Sequence, residues 1–181
     1  LDLDVTWTVA NNGSVGLALH AKRNTVFPEL PRFGLRLFLP QEMSQVNYYG
    51  MGPMECYRDK HHAASHSSYT ATVWQLHEDY IRPQENGSHF DCDYVMLAGD
   101  AVRLTAVGTQ PFSFNASHYT QEELTRKAHN YELEPCGSTV LCLDYAQNGI
   151  GSESCGPRLL EQYRLDDATF NFGLRLFPEK K

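Results

Sequence analysis

A chain of 181 residues, 41% apolar and 20% charged, has the length and composition of a globular domain with a real core. Its net charge of −7 excludes a non-specific nucleic-acid or anionic-membrane binder, which needs a basic face; Lys22-Arg23 and Lys180-Lys181 are too short to supply one. No apolar run approaches the roughly 20 residues that span a bilayer, and no signal peptide is seen.

The first nine residues alternate strictly, with Leu1, Leu3, Val5, Trp7 and Val9 set against Asp2, Asp4, Thr6 and Thr8. Period two predicts a strand with one buried face. Asn11-Asn12-Gly13 supplies a turn, and Val15 to His20 the returning strand of a hairpin. Pro28 and Pro31 break the chain before a second alternating run, Phe33 to Leu39. Val46 to Tyr49, Tyr69 to Trp74 and His89 to Leu97 read as strands. Ala101 to Val107 is the expected antiparallel neighbour of the last of these, across Ala98-Gly99-Asp100.

Phe112 and Phe114 predict a separate short strand, and Thr139 to Leu143 another. Gln162 to Leu165 and Ala168 to Phe177 predict two more strands around Asp166-Asp167. Thr120-Gln121-Glu122-Glu123 has the capping-box spacing, so one short helix is expected from Gln121 to about Lys127. Many short strands with turn residues between them predict an all-β sandwich or barrel, read as one domain over 1–181.

The five cysteines, Cys56, Cys92, Cys136, Cys142 and Cys155, are odd in number and none has Cys-x-x-Cys spacing. That usage fits reduced thiols, and a cytoplasmic location is expected. The chain begins Leu1-Asp2 without Met, so it reads as processed or cut. His61, His62 and His66 invite a metal reading, but no helix, Cys or carboxylate follows at ligand spacing; a solvent-exposed loop is expected, with no metal site.

Three loop motifs remain. In Gly50-Met51-Gly52-Pro53-Met54-Glu55-Cys56-Tyr57-Arg58-Asp59-Lys60, the charged residues Glu55, Arg58, Asp59 and Lys60 either bind a polar ligand or pin the loop as a charge network. Arg82-Pro83-Gln84-Glu85-Asn86-Gly87 is a turn by chemistry, whose Arg82, Glu85 and Asn86 either hold a sugar or hold the loop. Asn148-Gly149-Ile150-Gly151-Ser152-Glu153-Ser154-Cys155-Gly156-Pro157 is an irregular loop between strands. It is not a Gly-x-Ser-x-Gly nucleophile elbow, and Cys155 has no nameable His partner.

In order and spacing these motifs resemble the C-terminal β-sandwich, the small-chain or domain 5-like part, of the lacZ-like β-galactosidases of glycoside hydrolase family 2. The first motif fits the family form Gly-x-Gly-Pro-x-Glu-x-Tyr-x-Asp-Arg/Lys throughout, and Pro83 to Gly87 fits the Pro-x-Glu-Asn-Gly stretch that follows it. The resemblance extends from Leu1 to Phe177 and includes Ala128-His129-Asn130-Tyr131-Glu132-Leu133.

It implies an antiparallel supersandwich of galactose-mutarotase-like fold, truncated at its N-terminus, with sheet edges left open to self-association into a homo-oligomer. It implies that the catalytic glutamates lie on another domain, so that no residue here is catalytic, and that Mg²⁺ and Na⁺ also bind elsewhere in the parent. The implied partners are the remaining domains of that enzyme and a β-galactoside at the active-site rim. The last loop is implied to reach that rim, making Asn148, Glu153, Ser154 and Cys155 substrate-binding, while Glu55, Arg58, Asp59, Arg82, Glu85 and Asn86 are structural.

Some members carry a sugar-stacking Trp where this chain has Cys155, and a thiol cannot stack in that way. Glu132, Glu134, Glu153 and Glu161 do not sit in segments like the family's catalytic ones and are expected on the surface. Two alternatives stay open. A mutarotase or epimerase would use a general acid and base, with His20, His77, His89, His118 and His129 as candidates by type. A free carbohydrate-binding module would use exposed aromatics such as Tyr48, Tyr49 and Tyr57.

Overall fold

The structure, a computed structural model, describes residues 1–148 and 157–181. Among them, strands β1 (Asp2–Val9), β2 (Val15–Lys22), β3 (Arg32–Pro40), β4 (Gln45–Gly52), β5 (Ser65–Thr72), β6 (Ser88–Ala98), β7 (Val102–Ser117), β8 (Ser138–Gln147) and β9 (Thr169–Lys180) form one nine-stranded sheet. Every pairing is antiparallel, as expected for the all-β class. The path runs β1-β2-β9-β7-β6-β4-β5, with β8 branching from β7 and β3 lying beyond β8.

The branch comes from β7, which corrects the reading of two separate strands at 101–107 and 112–114. It is one strand of 16 residues. Val102 to Gly108 pairs with β9, and Ser113 to Ser117 pairs with β8. The change of partner falls between them, so Pro111, which has no N–H to donate, sits where neither β8 nor β9 needs one. The β8–β3 wing therefore leaves the β9–β2–β1 wing, and the sheet is open and sandwich-like.

Two further expectations are corrected. Residues 162–165 are not a strand; Glu161–Tyr163 is a 3₁₀ turn, and β9 pairs with β2 and β7 instead. The Asp166-Asp167 carbonyls are taken by the Arg23 guanidinium, at 2.5 and 3.3 Å, so this corner is a clamp and not a hairpin turn. The strand at 69–74 stops at Thr72, where a 3₁₀ turn, Val73–Leu76, begins. Its capping box is complete: Thr72 N donates to Gln75 Oε1 at 2.8 Å, and Gln75 N to Thr72 Oγ1 at 3.2 Å. The expected helix α1 runs Gln121–Arg126 with Thr120 Oγ1 accepting from Glu123 N at 3.1 Å. Its box is only half made, because the Glu123 carboxylate turns to Glu134 N, Arg126 and Lys127.

The core lies on one face of the sheet. Leu17 and Leu19 of β2, Phe172 and Leu174 of β9, Phe112 and Phe114 of β7, Val95 and Leu97 of β6, and Leu141 and Leu143 of β8 are all buried. Each such side chain contributes about 1.5–3 kcal/mol. The predicted hairpin is present, with Gly13 at φ 81° in its turn. Its outer strand differs from the expectation in one respect: no residue of β1 is buried. Leu3, Val5 and Trp7 lie directly opposite Ala21, Leu19 and Leu17 and carry on the core face, yet they are 43%, 45% and 53% exposed. The core face thus runs to the edge strand and stays exposed there.

Candidate functional site

The 50–60 segment folds around one carboxylate. Glu55 is 8% exposed. Its Oε2 accepts from Tyr57 OH at 3.1 Å and Gly87 N at 2.9 Å; its Oε1 accepts from Lys60 Nζ at 3.0 Å and from Tyr80 OH. Burial pushes the carboxyl up, but the Tyr80, Gly87 and Lys60 bonds outweigh it and hold the group below the ordinary carboxylate value. Glu55 thereby ties the first motif to the 82–87 turn. Asn86 works alongside it: Oδ1 accepts from Glu78 N at 3.0 Å, Nδ2 donates to Gln84 O at 2.9 Å, and its carbonyl takes Asn115 Nδ2.

Glu85 leads to a group that the sequence reading missed. Arg32 donates from Nε to Asp144 Oδ1 at 2.9 Å and from Nη2 to Asp144 Oδ2 at 2.6 Å, while Nη1 contacts Glu85. Asp144 is 1% exposed in the middle of β8. Burial raises its pKa to about 6 against the pull of Arg32, and the same contact holds the guanidinium above its ordinary value. With two bonds between the groups, the charged pair is the species at neutral pH. A Cβ at Gly34 would run into the Asp144 carboxylate, so β3 can come this close only with glycine there. The signal available was an Asp closing the apolar run 139–143 and an Arg just after Pro31.

Just beyond this pair, Asn148 starts the third motif. Its N–H donates to Pro31 O at 2.9 Å, and its Oδ1 accepts from Leu165 N at 2.7 Å. Leu30 N donates to Leu165 O at 3.2 Å, so three chain segments meet at this point. Glu153, Ser154 and Cys155 lie outside the described residues. Arg58 reaches the same corner, donating to Arg164 O at 3.4 Å, and Tyr145 OH donates to Asp167 Oδ2 at 3.3 Å. Arg58 and Tyr145 also line a cavity of about 180 Å³, together with Phe90, Asp91, Ser113 and Gln147.

The remaining motif residues are less engaged. Asp59 Oδ1 is buried with no hydrogen-bond partner among the described residues, and Arg82 is exposed with none. No three His, Cys, Asp or Glu side chains of the described residues come together as a metal would need. His61 and His62 lie in the expected loop, but His66 does not: it stands in β5 opposite Met51, and its Nε2 contacts Asp91 O at 3.0 Å. Cys56, Cys92, Cys136 and Cys142 are free thiols.

Neither the alternative enzyme nor a module built on an exposed tyrosine platform gains support from side-chain placement. Tyr48 and Tyr57 are buried, which corrects their candidacy as an exposed sugar platform. Glu132 caps a 3₁₀ turn through Ala128 N and His129 N, both at 3.0 Å, and Glu134 and Glu161 are exposed. His20 pairs with Asn171 at 2.9 Å on the surface.

His89 is the most buried of the histidines, 1% exposed and stacked on Phe114 at 5.0 Å. Nδ1 lies 3.1 Å from Tyr48 OH and 3.3 Å from Met51 O, and Nε2 is buried without a partner among the described residues. Burial lowers its pKa to about 4. The unfolded chain therefore takes up a proton between pH 6.5 and 4 that the folded chain refuses. This contribution to stability is complete above pH 6.5 and is lost as pH falls to 4, about 3 kcal/mol in all. Urea midpoints measured at pH 7 and pH 4.5 should drop accordingly, and His89→Phe should flatten the drop. An equal drop in the variant would contradict the assignment.

With this geometry in view, the chain matches the family described as the β-galactosidase small chain over residues 1–176. It is 47% identical to the β-galactosidase of Actinobacillus pleuropneumoniae across 99% of this chain and 18% of that protein. It is 42% identical to that of Staphylococcus xylosus across 95% of this chain and 17% of the relative. For the β-galactosidase of Lactococcus lactis the identity is 33%, over 91% of this chain and 16% of the relative. The chain thus spans less than a fifth of the length of these curated relatives.

Proposed function

The chain belongs to the β-galactosidase small-chain family, and from that premise we propose that it is a non-catalytic part of a β-galactosidase that completes the rim of the active site. One observation carries this reading: near-complete coverage of this chain against less than a fifth of each relative. The parent reaction is retaining hydrolysis of terminal β-galactosides, its two carboxylates standing on a part of the enzyme outside this chain. Mg²⁺ and Na⁺ belong there as well.

The part played by this chain is positional. The clamp of Pro31, Asn148 and Leu165 fixes where the last motif leaves the sheet, and the Arg32–Asp144 pair fixes β3 against β8 beneath it. Glu153, Ser154 and Cys155 then contribute to the substrate wall, with Cys155 taking the place of a stacking aromatic. The uncovered β1 face is the contact for the rest of the parent or for a second subunit in a homo-oligomer.

Cys155→Ala in the parent enzyme tests the rim role. KM for galactosides differing in aglycone should change severalfold, while the melting temperature stays within a degree or two. Unchanged KM across several galactosides would overturn the assignment of Cys155.

A further inference from the structure

We infer that the cavity between β6, β7 and the end of β8 is a binding site for one uncharged pyranose ring. The inference rests on the rim reading only for which sugar to offer it.

Size comes first. At about 180 Å³ the cavity is somewhat larger than the ~150 Å³ cavity that holds benzene, and it is open to solvent, so it admits one six-membered ring whose hydroxyl and hydroxymethyl groups extend to its mouth. Its polar groups come next. Ser113 and Gln147 are 7% and 6% exposed, yet neither side chain makes a hydrogen bond among the described residues. Their polar atoms are not sealed off like those of Ser88 or His89, so they meet water through the cavity that they line, and a ligand there would take the place of that water. The Asp91 carboxylate is likewise without a hydrogen bond or ion pair, and Arg58 spends only a long 3.4 Å contact on Arg164 O.

The mixture of groups selects the ligand class. Arg58 offers donors only, Asp91 acceptors only, and Ser113 and Gln147 offer both. One positive and one negative group in the same lining disfavour both a free anion and a free cation. A ring of hydroxyls, each able to donate and to accept, satisfies the whole set. Phe90 and Tyr145 add aromatic wall for the apolar C–H faces of such a ring. Asp91 also has φ 55°, a left-handed conformation rare outside glycine, and its carbonyl is held by His66 Nε2 at 3.0 Å. Backbone held in that region is often found where a side chain must be aimed.

The experiment uses the parent enzyme with its catalytic site blocked covalently by a 2-deoxy-2-fluorogalactoside, titrated with galactose and with glucose by ligand-observed NMR. Saturable binding of one of them in the millimolar range is expected. It should weaken at least tenfold in Gln147→Leu and in Arg58→Ala, and be unchanged in Arg82→Ala, an exposed control; all three variants should melt like the wild type. Blocked enzyme that binds neither sugar, or binds equally in Gln147→Leu and Arg58→Ala, would overturn the inference while leaving the rim reading intact. Failure of the inhibitor to label the parent would count against the rim reading instead, and the same titration of unlabelled protein and variants then decides on the cavity. If one variant fails to fold, the other decides.

Discussion

Replacing Arg32 by alanine should lower the unfolding free energy of the chain by about 3–5 kcal/mol, the usual cost of leaving a buried charge alone. Asp144 is 1% exposed, and both of its oxygens are satisfied by one guanidinium. Without that partner the carboxylate must either stay charged in a dry site or take up a proton, and burial already pushes its pKa to about 6. The Glu85 arm of the network adds little, since both side chains there remain partly open to solvent. The double variant Arg32→Met with Asp144→Leu should recover most of the loss, because an apolar pair of similar volume carries no desolvation cost. Equilibrium urea unfolding measures both effects. A loss below about 1 kcal/mol in Arg32→Ala would mean that the pair does not hold β3 on β8.

The legible parts of the fold were those set by local chemistry. Asn11-Asn12-Gly13 fixes the first hairpin, and Thr120 caps α1, each through contacts a few residues apart. The full capping box at Thr72 and Gln75 carries the equivalent Thr-x-x-Gln signature and was readable, but the apolar, β-rich run around it drew the strand on to Trp74. Elements set by distant partners were misread. Nothing within 102–117 says that β7 exchanges β9 for β8 halfway along, so Gly108 and Pro111 look like a break. Leu165 has the apolar look of a strand residue, yet its backbone is spent on Asn148 and Leu30.

The same division holds at the candidate site. Glu55, Glu85 and Asn86 stood out because they lie in compact motifs with glycine and proline. Arg32 and Asp144 are 112 residues apart in sequence, and only the pairing of β3 with β8 brings them together. Ser113 and Gln147 were invisible for a related reason. What singles them out is burial without a partner, which composition and spacing do not encode. Of the proposed substrate residues only Asn148 lies among the described ones, and its side-chain oxygen is committed to Leu165 N.

The second large effect concerns activity itself, and it is all or none. Hydrolysis of a glycoside with retention needs a nucleophilic carboxylate and an acid/base carboxylate about 5–5.5 Å apart across the bond. In the proposed function neither stands on this chain. With both missing, catalysis should vanish and not merely weaken, since enzymes supply many orders of magnitude over the uncatalysed rate. On the proposed reading, the exposed β1 face, with Leu3, Val5 and Trp7 on view, is the apolar surface that the rest of the enzyme would rejoin. Recovered activity should therefore rise with the concentration of this chain and saturate, as mass action requires.

The decisive measurement is release of chromophore from a nitrophenyl β-galactoside by this chain alone, by the parent lacking it, and by the two mixed. No hydrolysis above the blank is expected from the chain, little from the shortened parent, and saturable recovery on mixing. Hydrolysis by the chain alone would contradict it, because the catalytic carboxylates would then have to lie within these 181 residues.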